Sequence, residues 1–423
     1  MNRKCRAMAA LLAVLMAFTC VGCVFSGVDS LYALPQLADE YVGLEALIAR
    51  RIRSGEEYAA PVGGRNRQTV QLRDLDGDGV SEAIAFLADE SHTPLVCVYR
   101  QDAGGSYYLF VAIEGVGNAV GSVEYADLTG NGADELILAW QISGDMRLLA
   151  VYSLREEEQA QLLSADSAAF AVSDLDGDEI DELMNLTLDR ETGAVARYDF
   201  SGGGEYALTE APLSEGIGEV QRVREGLLSD GAAALFVESL WGEDELITDV
   251  FTASGGQLSN ITLGSGGRSG TLRRADAFAE DIDGDRALEI PESSGDALNW
   301  YRLNASGQKE LALSTYHDYD DGWYLVLTEE LLSGGVTAFR SDTVAGESSV
   351  TLWGDGGQTP LVAIYTLTGE NRLDRAGEEG RFLLSQDGAT VYAASILEPE
   401  RITEDEITEN FHLIYQDWQS GVL

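Results

Sequence analysis

A chain of 423 residues has room for two or three domains of about 100–200 residues each, and with 45% hydrophobic and 23% charged residues its composition is that of folded protein. Its 72 acidic residues against 27 basic ones leave a net charge of −45, which argues against nucleic acid and against electrostatic adhesion to an anionic membrane. Three scattered histidines, His92, His317 and His412, leave no His-rich metal site and little scope for a His-based triad.

Arg3, Lys4 and Arg6 followed by the apolar run Ala7 to Phe18 form the n- and h-regions of an export signal, and the run is too short to span a membrane. The segment that follows, Thr19-Cys20-Val21-Gly22-Cys23, resembles the lipobox of bacterial lipoproteins. That resemblance implies a signal peptide over residues 1–22, lipidation of Cys23, and attachment to the membrane through the lipid alone; plain secretion is the alternative. Cleavage there leaves Cys97 as the one thiol, so no intramolecular disulfide is available and packing, with or without metal, must hold the fold.

Residues 23–59 read as a tether and a capping helix. Pro35 opens a helical pattern with Leu37, Tyr41, Leu44, Ile48 and Ile52 on one stripe, and Arg50, Arg51 and Arg53 with Gly55 beyond them mark its end. From there the chain repeats. Asp74-Leu-Asp76-Gly77-Asp78-Gly79-Val80-Ser-Glu82 is matched without gaps by segments starting at Asp127, Asp174 and Asp281. The first two intervals are about 50 residues and the third about twice that, so a degenerate copy is expected between; Gly226 to Gly231 followed by the apolar Ala232 to Val237 has the right shape without the acids. Units of this length suit propeller blades of four short strands.

A hard divalent cation takes six to eight oxygens, and carboxylates at alternate positions of a tight turn converge on one point. Asp74, Asp76, Asp78 and Glu82 stand at positions 1, 3, 5 and 9, with the carbonyl of Val80 at position 7. An EF-hand would place its glutamate at position 12, where Ala85 stands, and would have helical flanks. Here the flanks read as strands: Thr69 to Leu72 leads in and Ala83 to Leu87 leads out, and Leu136 to Leu138 and Leu183-Met184 follow later loops.

The pattern Asp-x-Asp-Gly-Asp-Gly-x-x-Glu between strands, repeating at about 50 residues, resembles the FG-GAP or VCBS-type repeats of calcium-loop β-propellers. The resemblance implies a propeller over residues 60–315 and Ca²⁺ ligands at Asp74, Asp76, Asp78, Val80 and Glu82, at Asp174, Asp176, Asp178 and Glu182, and at Asp281, Asp283, Asp285 and Glu289. In the second loop Thr129 and Asn131 replace two acids, leaving Asp127, Asn131 and Glu135 as a less charged donor set; Arg286 and Leu288 weaken the fourth, and Pro291 is expected to break the strand that follows it. The sequence thus ranks the first and third loops above the fourth and second.

The glycine-rich stretches Ser201 to Glu205 and Gly264 to Gly270 lack the residues of a phosphate loop, and neither a Gly-x-Ser-x-Gly elbow nor a His-Glu-x-x-His helix occurs. Residues 316–423 carry strand-like runs from Trp323, Val336, Ser349, Leu361, Arg381 and Thr390, then a helix opened by a capping box of Thr403 and Glu406 with Ile407, Phe411, Ile414 and Trp418 on one stripe. The economical reading is a small α+β domain, and the alternative is further blades. Tyr316, Tyr319, Trp323 and Tyr324 at the junction read as core packing, with the wall of a sugar or peptide site as the alternative. The sequence as a whole is read as mainly β: an exported, lipid-anchored, calcium-binding monomer that binds an extracytoplasmic protein or glycan at the cell surface without catalysis. An extracellular hydrolase using the propeller as scaffold and a structural envelope component are the alternatives.

Overall fold

The computed structural model describes residues 41–414 apart from 145, 156–158, 190, 191, 203, 204 and 379. The export signal, Cys23 and the first turn expected at Pro35 lie outside them. The described chain is mainly β. After one helix, Val42–Arg53, six antiparallel sheets of four or five strands follow one another, most strands pairing with their neighbours in sequence. The cores of the first three sheets are Glu82–Ala88 with Pro94–Gln101, Glu135–Ser143 with Met146–Leu154, and Glu182–Leu188 with Gly193–Asp199. The fourth is built on Ala233–Trp241 and Glu245–Ser254, the fifth on Ala297–Leu303 and Lys309–Asp318, and the sixth on Glu347–Gly354 and Thr359–Leu367.

Side-chain parity shows how the sheets stack. Ile84 and Phe86 of the first sheet share a buried cluster with Leu136, Leu138 and Trp140 of the second, while the intervening Ile137 packs with Leu183 of the third. Met184 and Leu186 then meet Leu235 and Val237, Phe236 of the fourth sheet meets Ile290 of the fifth, and Trp323 and Leu325 of the fifth meet Val350 and Leu352 of the sixth. Both faces of the inner strands are covered, so they read as unbroken apolar runs instead of alternating ones. The two end sheets carry helices on their outward faces: Leu44 and Ile48 pack on Ala83, Ala85 and Leu87, and Ala376 of the short helix Arg372–Ala376 packs on Leu367, Val391 and Ala393.

Four sequence expectations change. Strand Lys309–Asp318 runs across the domain boundary expected at 315/316, and one cluster of buried residues joins the fifth and sixth sheets. The C-terminal helix ends at Asn410, and Phe411–Leu413 pairs with Trp323–Leu325 as a strand of the fifth sheet, so Phe411 is buried by sheet pairing and not on a helical stripe. Thr403 does cap that helix through the N–H of Glu406 (3.2 Å), but Glu406 does not reach back; its carboxylate accepts from the hydroxyl of Thr328 at 2.5 Å. Pro291 does not break its strand either. It lies in Glu289–Ser294, at the edge of the fifth sheet, where a missing N–H is tolerated.

The turn expected as a degenerate repeat closes with the N–H of Gly231 on the carbonyl of Leu228 (2.9 Å), and no acidic cluster forms there among the described residues. A buried ion network within its sheet holds the segment 277–279 that leads on to the next. Glu238, 0% exposed, accepts from Arg222 Nε at 2.6 Å, Arg273 Nη2 at 2.5 Å and the N–H of Ala279 at 2.8 Å. Ala279 lies just before the fourth acidic loop.

Candidate metal centres

The four acidic loops share one hydrogen-bond scheme. Position 4 is glycine with left-handed backbone in each, at Gly77, Gly130, Gly177 and Gly284. Position 6 is left-handed as well, at Gly79 and Gly132 but also at Glu179 (φ 70°) and Arg286 (φ 80°), where a side chain bears the cost. The aspartate at position 1 accepts the N–H of position 6 at 2.8, 2.7, 2.9 and 3.0 Å in chain order. The side chain at position 5 accepts the N–H of position 7: Asp78 from Val80 (2.6 Å), Asn131 from Ala133 (3.0 Å), Asp178 from Ile180 (2.9 Å) and Asp285 from Ala287 (2.8 Å). The glutamate opening the next strand folds back, so that Oε2 of Glu82, Glu135, Glu182 and Glu289 accepts the position-2 N–H at 2.7, 3.0, 2.9 and 3.1 Å. All four glutamates are buried.

The turns therefore gather carboxylates. Asp174, Asp176, Asp178 and Glu182 bring one oxygen each within 4.8 Å of one another; so do Asp74, Asp76 and Glu82, and so do Asp281, Asp283 and Asp285. Asp78 and Glu289 stand outside those tightest groupings, and at the ligand positions the second loop supplies Asp127 and Glu135 as acids, beside Asn131, with Asp134 at position 8. These clusters have the oxygen chemistry to hold a metal ion. Consecutive loops also adjoin: a Cβ on Gly77 would lie 2.8 Å from the carbonyl oxygen of Gly132, and one on Gly130 would lie 2.5 Å from Ile180.

Burial sets the electrostatics. Desolvation pushes the carboxyl groups of Glu82, Glu135 and Glu289 up to about 7, against the N–H bonds that favour the anion, and raises Glu182 too. A cation among them would restore the charged form.

Cations of the chain's own are close by, and sequence reading missed them. Arg100 faces Glu82 across the first hairpin, with Nη2 3.2 Å from Asp76 and Nε 3.8 Å from Glu82. Arg197 bonds Asp176 and Glu182 and lies 3.3 Å from Asp199. Arg302, paired with Glu289, contacts Asp283 at 3.0 Å and Asp285 at 2.7 Å. In the second loop the matching place holds Ser153, whose hydroxyl donates to Glu135 at 3.2 Å. These residues follow the glutamates by 13 to 18 positions, an offset that varies with hairpin length, so no fixed spacing announces them.

The junction aromatics are core and stacking residues. Trp323 is 1% exposed and packs on Tyr316 and Phe411, with ring centroids 5.6 Å apart in both pairs. Tyr324 lies between His317 and His412, 4.9 Å from each.

No protein-family model and no curated protein matches this sequence. Among solved structures, a hypothetical selenium-binding protein from Sulfolobus tokodaii is similar at 9% identity and a TM-score of 0.29, over 69% of this chain and 73% of that one. The AfRom2 CNH domain is similar at 9% identity and a TM-score of 0.25, over 81% and 99%. Likeness at this level assigns neither a fold nor an activity.

Proposed function

We propose that this chain is a calcium-binding β-propeller-type protein, exported and lipid-anchored at Cys23, that serves at the cell surface as a non-catalytic binding module for an extracytoplasmic protein or glycan. The observation that carries the reading is the repetition of one turn geometry, with a buried glutamate at position 9, in four of six face-to-face sheets. Three or four carboxylates held this close repel one another, and a hard divalent ion relieves the repulsion. The all-oxygen donor set fits Ca²⁺, and so does a buried acceptor with nothing bonded to it, Oε1 of Glu289. Bound calcium would supply positive charge to the loops; the chain's own contribution is to pre-fold them through backbone N–H groups.

In a ring of blades the two helix-covered end sheets face each other, and small-angle scattering separates a closed ring from an open stack. The functional test is a thermal melt of protein freed of metal. An ion that binds only the folded state stabilises it by about 2.7 kcal/mol per site at a hundredfold excess over Kd, so millimolar calcium should raise Tm by several degrees over chelator. Superimposable melts would remove the calcium reading. Lipid labelling of wild type and Cys23→Ser tests the anchor separately.

A further inference from the structure

The three loops with aspartate at position 3 each receive an arginine from the neighbouring strand, and the loop with Thr129 there receives Ser153. Charge is thus countered where it is concentrated. Where the guanidinium sits, however, differs among the three.

In the third loop a single nitrogen, Nη2 of Arg197, bonds both Asp176 Oδ2 and Glu182 Oε1, and the arginine is 2% exposed. Those oxygens come from positions 3 and 9, which a divalent ion in this loop must bridge. The nitrogen occupies that bridging point. Arg100 approaches the same two positions in the first loop less closely, its guanidinium 3.7 Å over the ring of Phe110.

The fourth loop is built differently. Arg302, with 27% of its side chain exposed, takes Asp283 Oδ2 and Asp285 Oδ2, at positions 3 and 5, and does not reach position 9. Glu289 is 0% exposed; its Oε2 accepts the loop N–H of Ile282, so the carboxylate is aimed into the loop, yet its Oε1 has no hydrogen-bond partner among the described residues. Oδ1 of Asp281, at position 1, is likewise without one. Buried carboxylate oxygens left bare are costly, and a cation that reached them would relieve that cost.

We infer that the chain fills its third acidic loop, and partly its first, with its own guanidinium group, so that Arg197 and Arg100 compete with divalent cations while, of the three loops with aspartate at position 3, the fourth, at Asp281 and Glu289, is the one open to them. This reverses the order read from sequence, and it rests on the divalent-cation reading above. The physical reason is exclusion: a guanidinium nitrogen and an ion cannot share one point between the same two oxygens, and the single positive charge satisfies a buried acidic pair without metal. An arginine that merely oriented the ligands would have the opposite effect on affinity when removed.

The test is calorimetric titration of calcium into the metal-free full-length chain and its Glu289→Gln, Arg197→Gln and Arg197→Lys variants. Wild type should show a tight event that Glu289→Gln abolishes or weakens by about tenfold or more. Arg197→Gln should add an event, or tighten one, by about the same factor, while Arg197→Lys, which keeps a cation in place, stays with wild type. A wild-type event that survives Glu289→Gln, or an Arg197→Gln variant that binds no better than wild type, overturns the inference and leaves the calcium reading standing. No event in any of the four proteins removes both. If Arg197→Gln is unfolded in chelator, recovery of its folded far-UV spectrum on adding calcium supports the inference, and failure to recover counts against it.

Discussion

Replacing Glu238 by glutamine should cost more stability than any surface change in this chain. The carboxylate is wholly buried and receives two arginines, the N–H of Ala279 and, at 3.4 Å, the hydroxyl of Thr248. Arg273 is itself 2% exposed and bonds the carbonyls of Ala277 (2.5 Å) and Thr271 (3.1 Å), so it has no route to water. Glutamine keeps the size but turns an amide NH₂ toward guanidinium donors and leaves two buried positive charges without a counter-ion. Removing one partner from a buried ion pair costs about 3–5 kcal/mol. At roughly 1 °C per kcal/mol for a chain of this size, Tm should fall by about 3–6 °C. Circular-dichroism melts and urea titrations of Glu238→Gln beside wild type measure this. A second variant, Glu238→Leu with Arg222→Met and Arg273→Met, removes the whole network and should recover much of the loss, because desolvation no longer has to be offset. A loss below about 1 kcal/mol in Glu238→Gln, outside the range for such pairs, would refute the claim that Glu238 is the counter-ion on which this buried network depends.

Other changes test other parts of the fold. Gly117→Ala places a Cβ 2.0 Å from the carbonyl oxygen of Gln141 at a φ of 80°, and should cost at least about 1–3 kcal/mol by urea titration, against little effect for alanine at exposed Gly202, where nothing lies within 4 Å. Thr403→Ala removes the cap of the last helix and should cost about 1 kcal/mol, with faster amide exchange in Glu404–Leu413 as its local sign. Burial lowers the pKa of His317 to about 4 against Asp276, which raises it. The folded chain therefore resists protonation there, and the stability this histidine contributes is complete above about pH 6.5 and lost as pH falls from there through about 4, by up to about 3 kcal/mol. The carboxyls of Glu82, Glu135 and Glu289 act in the opposite sense over about pH 4.5 to 7, so the comparison must be wild type against His317→Phe, which keeps the stack on Tyr324. Parallel stability curves for the two proteins would dismiss the effect.

Features carried by near neighbours along the chain could be read before the fold was known. Carboxylates at alternate positions, glycine at position 4 and an acid before an apolar run all act within nine residues, so their meaning survives without tertiary context. The helix stripe of Leu44 and Ile48 and the cap at Thr403 are legible for the same reason. Tertiary pairing decided the rest. Arg197 and Arg100 enter the acidic loops from the opposite strand, and Arg222 and Arg273 reach Glu238 from 16 residues before it and 35 after it. Phe411 belongs to a helical stripe in sequence and to a strand in the fold, because pairing with Leu325 outweighed local periodicity. Pro291 is harmless only because its strand lies at an edge. Local spacing, then, sets where oxygens gather, while long-range strand register sets which of those clusters already holds a cation of its own.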